Sequence, residues 1–135
     1  MKSIFMLAAK GVSIDKFSNM ATIYNIIENM NSDSFPIFFP EIYVFVLLER
    51  KKDEERNFDC VLKVYNNRNE ISSIQVKPAF KTSNRNRSVI RVNGITIVSP
   101  GRLIFKFIHN NKTLGQYNVL IKKPDKTKSN IFNAT

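Results

Sequence analysis

Few side chains in this chain could carry covalent or acid–base chemistry: one cysteine, Cys60, one histidine, His109, and an acidic run of Glu49, Asp53, Glu54, Glu55 and Asp59. A thiol and an imidazole can form a nucleophile–base pair. Here, however, Cys60 stands in the stripe Phe58, Cys60, Leu62, Val64, opposite Asp59, Lys63 and the amphipathic Tyr65. That alternation reads as the buried side of a strand. His109 extends the face made by Leu103, Phe105 and Phe107, which reads as a histidine at the rim of a core, without the partner group a general base requires. A tetrahedral zinc site would have to complete its ligands with carboxylates, and none are suitably clustered. The acidic run is interleaved with Arg50, Lys51, Lys52 and Arg56, the mark of a solvated loop. Asp53 and Asp59 could touch a cation, but the spacing and the glycine of a calcium loop are missing. The four glycines are scattered, so no phosphate-cradling loop is present. The expectation is no catalytic residue, no metal and no cofactor.

A different chemistry is offered by the stretch KPAFKTSNRNRSVIR, Lys77 to Arg91, which holds five positive charges and no negative one. Lys77, Lys81, Arg85, Arg87 and Arg91 could meet phosphates, Asn84 and Asn86 could supply adaptable hydrogen bonds, and Phe80 could stack on a base. These six, Lys77, Phe80, Lys81, Arg85, Arg87 and Arg91, are the candidate polyanion-binding residues. No signature of an established nucleic-acid fold accompanies them. The competing reading makes Lys81 to Arg87 the tip of a long hairpin between strands Ile71–Lys77 and Val89–Val98, its charges guarding exposed strands against edge pairing.

The elements that must position these groups can be read from length and punctuation. A chain of 135 residues fits one domain and can bury about two thirds of the surface its unfolded form exposes. Proline and glycine fall between or at the ends of short runs rich in Ile, Val, Phe and Tyr, predicting strands at Ile4–Ala9, Ile42–Arg50, Phe58–Tyr65, Ile71–Lys77, Val89–Val98, Leu103–His109 and Leu114–Lys122. In RLIFKFIHNNKTLGQYNVLIKK the alternation is clean, and Asn110-Asn111 marks a hairpin turn. Ile42 to Leu48 is apolar on both faces, which places that strand centrally in a sheet. Residues 15–27 are ambiguous: Phe17, Met20, Ala21, Tyr24 and Ile27 follow helical spacing behind a possible cap at Asp15, whereas the β-forming residues favour a strand.

Charge is asymmetric along the chain. Residues 1–70 hold nine Lys or Arg and ten Asp or Glu, while residues 71–135 hold twelve and one, within a total of +10. Such an imbalance suits a nucleic acid or another anionic surface. A single cysteine suits a reducing, cytoplasmic setting. The apolar run Ile4–Ala9 is shorter than a signal peptide needs, and Phe35–Leu48, broken by Pro36, Pro40 and Glu41, is too short to span a membrane. The three glycosylation-like triplets carry no weight among sixteen asparagines.

An opening hydrophobic strand, a glycine turn, ATIYNIIENM, SFPIFFPEIYVFVLLER and SPGRLIFKFIHNNKTLGQYNVLI together resemble a family of short bacterial proteins known only as a domain of unknown function. The features that carry the likeness are Phe35-Pro36 and Pro40 before the central strand and Pro100-Gly101 before the terminal hairpin; it covers residues 2–122. The resemblance implies an immunoglobulin-like or calcium-lipid-module-like antiparallel β-sandwich with residues 21–29 as strand, and implies no activity. The expectation is therefore one all-β sandwich of about seven to nine strands over residues 1–123, followed by a basic, flexible tail at 124–135. It would be a non-enzymatic protein-interaction or assembly module with a protein partner or a second copy of itself and no small-molecule substrate. The alternative is a nucleic-acid-binding protein using residues 77–91 with Lys122, Lys123, Lys126 and Lys128.

Overall fold

Nine strands follow the punctuation in the computed structural model, which describes residues 1–124, so that Lys126 and Lys128 lie outside it. They are β1 (Lys2–Ile14), β2 (Ala21–Ile26), β3 (Asn29–Asn31), β4 (Ile37–Glu49), β5 (Cys60–Asn66), β6 (Asn69–Val76), β7 (Arg85–Ile97), β8 (Gly101–His109) and β9 (Lys112–Lys122). The described residues contain no helix, and two sheets, ordered β2-β1-β4-β7 and β3-β9-β8-β5-β6, pack as a β-sandwich. Every pairing is antiparallel except β3 with β9, which is parallel. β4 has neighbours on both sides, as its two apolar faces require.

The core lies between the sheets. From one side come Ile42, Val44, Val46 and Leu48 of β4 and Ile90, Val92, Ile95 and Ile97 of β7; from the other, Leu62, Val64, Leu103, Phe105, Phe107, Val119 and Ile121. Between Val92 and Ile95 the inward face of β7 changes phase at Gly94, whose φ of 65° a side chain would oppose. The β8–β9 hairpin turns at Asn110 and Asn111, both with positive φ (48° and 61°), the conformation expected of a two-residue turn that matches strand twist.

One open reading is resolved and two expectations are corrected. Residues 17–27, divided between helical spacing and β-forming residues, are not helical, and Ala21–Ile26 is strand as the resemblance implied. Asp15 does cap a turn, its carboxylate accepting from the amides of Phe17 and Ser18 at 2.8 and 3.3 Å, but the chain reverses at Asn19 (φ 59°) and the Asp15 amide donates to the Met20 carbonyl. A tight hairpin loop results, and Ala21 to Tyr24 ladder onto β1. Phe17, placed on an apolar helical face by its spacing, is fully exposed at 101%. Gly11 makes no turn; it sits inside β1 beneath the Tyr24 ring, whose Cε2 would lie 2.1 Å from an added Cβ. Finally, Lys77–Arg91 is not a hairpin. β6 and β7 are edge strands of different sheets, so residues 77–84 cross from one sheet to the other and β7 begins at Arg85, well before Val89.

Candidate binding end: hairpin tip and basic cleft

β1 changes partner at Ala9, pairing with β4 from Lys2 to Ala9 and with β2 from Ala9 to Ile14. Thirteen extended residues would span about 40 Å. Yet Ile14 and Arg85 border one cleft, although Arg85 lies opposite Glu49 and Glu49 opposite Lys2. β1 therefore bends sharply after leaving β4, and the β1–β2 hairpin turns back across the outer face of the four-stranded sheet. Ala9 and Phe45 are accordingly buried (0% and 5%) outside the core between the sheets, with the Phe5 ring 5.4 Å from that of Phe45. The hairpin tip is fastened by Arg87, whose guanidinium donates to the carbonyl and side-chain oxygens of Asn19 at 2.9 and 2.8 Å.

Below the tip, an open cleft of about 460 Å³ gathers Lys81, Arg85 and Arg87, with Asn19 and Asn86 as polar lining and Ile14 and Leu47 as apolar lining. Alternation explains the gathering: Arg85 and Arg87 are two apart on an edge strand and share its outer face. Of the six residues singled out above, these three come together. Lys77 and Arg91 do not line the cleft, and Arg91 is paired with Glu41 at 2.7 Å. Arg85 is partly neutralised by Glu49 at 3.4 Å, which also holds Lys2 at 3.6 Å. Arg87 has only neutral acceptors, and Lys81 has no carboxylate partner among the described residues.

Phe80 must be removed from the set. It is 1% exposed and packs edge-on against Phe58 at 5.6 Å, its amide donating to the Arg56 carbonyl. A ring so placed cannot stack on a base. Arg50 belongs to no solvated loop either: it is 5% exposed, and its Nη1 donates to the carbonyls of Lys51, Lys52 and Glu54 at 2.8–3.3 Å, fixing the chain after β4. The residues missed by sequence reasoning are those of the tip, Phe17 and Met20, exposed at 101% and 70%. The signal that could have found them is Asp15 followed four residues later by Asn19, a capping residue and a residue tolerant of positive φ.

The groups with chemical potential are otherwise engaged. Cys60 is buried, and burial, reinforced by the charge of Asp59, pushes its thiol up to about 11. His109 donates through Nδ1 to the Asp59 carbonyl at 3.0 Å and stands edge-on to Phe58 at 5.3 Å. A protonated, core-facing thiol is the reverse of an activated nucleophile. Cys60 should react with a thiol reagent only as the protein unfolds, which stopped-flow labelling with and without denaturant will measure. The unfolded thiol ionises near 9 and the folded one near 11, so the stability Cys60 lends is complete below pH 9 and is lost as pH rises through 11. Asp53, Glu54, Glu55 and Asp59 share a cleft with His109, but no group of three potential ligands is placed to hold a metal ion among the described residues. The Glu54 carboxyl is held below the usual range first by the N-terminal amine and then by the Lys51 amide. No helix among the described residues is long and apolar enough to cross a membrane. No family model and no curated protein matches the chain.

Proposed function

We propose that the protein is a non-enzymatic interaction or assembly module of the cytoplasm, which attaches end-on to an anionic partner through the hairpin tip and the cleft beneath it. The observation that carries this reading is the convergence of Lys81, Arg85 and Arg87 under a tip that displays a fully exposed phenylalanine. Aromatic residues and arginine are enriched where proteins bind partners, and like charges collected on one face raise the rate and selectivity of encounter with an opposite charge. The nucleic-acid alternative keeps three of its cations and loses the stacking ring of Phe80, so it is the weaker form of the same idea.

The test is a fluorescence-anisotropy titration of labelled poly-glutamate and of a single-stranded oligonucleotide, over a range of salt, with the parent and with K81A/R85A/R87A. The parent should bind both polyanions, with a log–log salt slope near −2 on the oligonucleotide if all three charges meet phosphates. The triple variant should lose most of that affinity while its melting temperature falls only slightly, because Lys81 and Arg85 are exposed and Arg87 holds only the exposed Asn19 of the tip, away from the core. Equal binding by parent and variant, or parent affinity weaker than ~10⁻⁴ M at physiological salt, would sink the reading.

A further inference from the structure

Phe17 is as exposed as it would be in an isolated peptide, and Met20 and Ile14 beside it are exposed at 70% and 45%. This display is built rather than loose. The Asp15 carboxylate accepts from two amides of the turn, its amide and carbonyl bond to Met20 and Asn19, and Arg87 clamps Asn19 from the neighbouring sheet surface. The amides of Phe17 and then Ser18 hold the Asp15 carboxyl below the usual carboxylate range. Lys16 lies in the tip itself and Lys81 and Arg87 line the cleft beneath it with Asn19, while Asp15 is held by the turn's own amides and Glu49 pairs with Arg85 and Lys2.

We propose that this tip docks the protein on an anionic lipid bilayer, Phe17 and Met20 entering the interfacial layer while Lys16, Lys81 and Arg87 meet lipid phosphates. The inference rests on the reading of this end as an anion-docking surface and names the partner. Shape decides among the candidates. A stable protein–protein interface buries about 800 Å² on each side, whereas one aromatic side chain supplies only about 150–250 Å², and a narrow convex tip adds little more. A fluid interface needs no complementary surface; it takes an aromatic ring at headgroup depth, and binding to it strengthens about fivefold for each basic residue held near anionic lipid. A modest apolar insertion together with a basic patch is the two-signal combination that holds a peripheral protein reversibly on a membrane. Because the turn is already ordered, binding costs little further loss of chain freedom.

The chain has no tryptophan, so F17W places a single fluorophore at the tip, where full exposure means the larger ring displaces nothing. The probe is unilamellar vesicles, either pure phosphatidylcholine or a mixture with phosphatidylglycerol. Anionic vesicles should shift the emission to the blue and shield it from an aqueous quencher; neutral vesicles should do neither, and raised salt should reverse the effect. In the same background M20S should weaken partition about fivefold, by loss of apolar burial, and K16E/K81E at least tenfold, by loss of lipid attraction. Unchanged emission on anionic vesicles, or an equal shift on neutral ones, overturns the proposal. So does a shift produced by an oligonucleotide or poly-glutamate and not by vesicles. If the cleft still binds soluble polyanions while F17W ignores lipid, the bilayer inference alone falls; if the triple cation variant behaves as the parent throughout, the docking end falls with it.

Discussion

Replacing Phe80 by alanine is expected to lower stability by about 3–5 kcal/mol, the range for emptying a buried phenylalanine site. Phe80 is 1% exposed, touches the Phe58 ring edge-on, and lies where residues 78–80 run against 56–58 through the Pro78 carbonyl and the Phe80 amide. Its loss therefore removes apolar contact and leaves a cavity beneath the crossover that carries Lys81. Chemical denaturation of parent and F80A measures the effect, and F80L should recover most of it because volume is nearly restored. Salt-dependent binding to an oligonucleotide by the folded fraction should be unchanged. A variant as stable as the parent but weaker on the oligonucleotide would return Phe80 to the surface and restore its role as a stacking ring.

The misreading of Phe80 shows where sequence pattern stops. Its neighbours Lys77, Lys81 and Thr82 are polar, and the segment has no alternation because it is a crossover between sheets; the ring is buried by packing into the core, where it meets Phe58, twenty-two positions away. The helical spacing of Phe17, Met20 and Tyr24 fails for a related reason. Periodicity reports which residues could share a face, and a turn fixed by Asp15 and Asn19 breaks the period before any face forms. Conversely, β8, β9 and their Asn110-Asn111 turn were legible because alternation and positive-φ tolerance are local properties. The two-faced apolarity of β4 foretold its central position, and the Cys60, Leu62, Val64 stripe foretold a buried thiol.

The candidate site was legible by half. Arg85, Arg87 and Arg91 differ by even numbers and so share one strand face, a relation visible once β7 is allowed to begin at Arg85. Their different fates were not visible. Arg91 is matched by Glu41 and Arg85 by Glu49 because β4 lies beside β7 in a definite register, Tyr43 opposite Arg91 and Glu49 opposite Arg85. Arg87 instead faces a hairpin that reaches it only because β1 bends. Charge in a sequence counts ions; register and bending decide which remain available to a partner.

Asn66→Ala is expected to cost about 3 kcal/mol or more, a large effect for one small polar side chain. Asn66 ends β5 with no exposed surface, and its amide holds the β7–β8 connection from within: Nδ2 donates to the carbonyls of Ser99 and Arg102 at 3.2 and 3.3 Å, while Oδ1 accepts from the amides of Val98 and Ser99 at 3.0 and 3.2 Å. β7 belongs to one sheet and β8 to the other, so this side chain ties the strand that crosses between them. Alanine would strand up to three backbone groups, since the Arg102 carbonyl keeps the Asn67 amide at 2.8 Å, and each buried unpaired group costs about 1–3 kcal/mol before relaxation or water entry. Its neighbour is the control. Asn67 bonds the same turn, to Ser99 Oγ, the Pro100 carbonyl and the Arg102 amide at 2.9–3.0 Å, but it is exposed, so water can take over. Its φ of 56° makes alanine strained there, at roughly 1 kcal/mol. Denaturant titrations of N66A and N67A should therefore separate by at least a factor of two in lost stability. Equal losses would mean that the connection is held by its backbone and by Gly101, and that the inner amide contributes no more than the outer one.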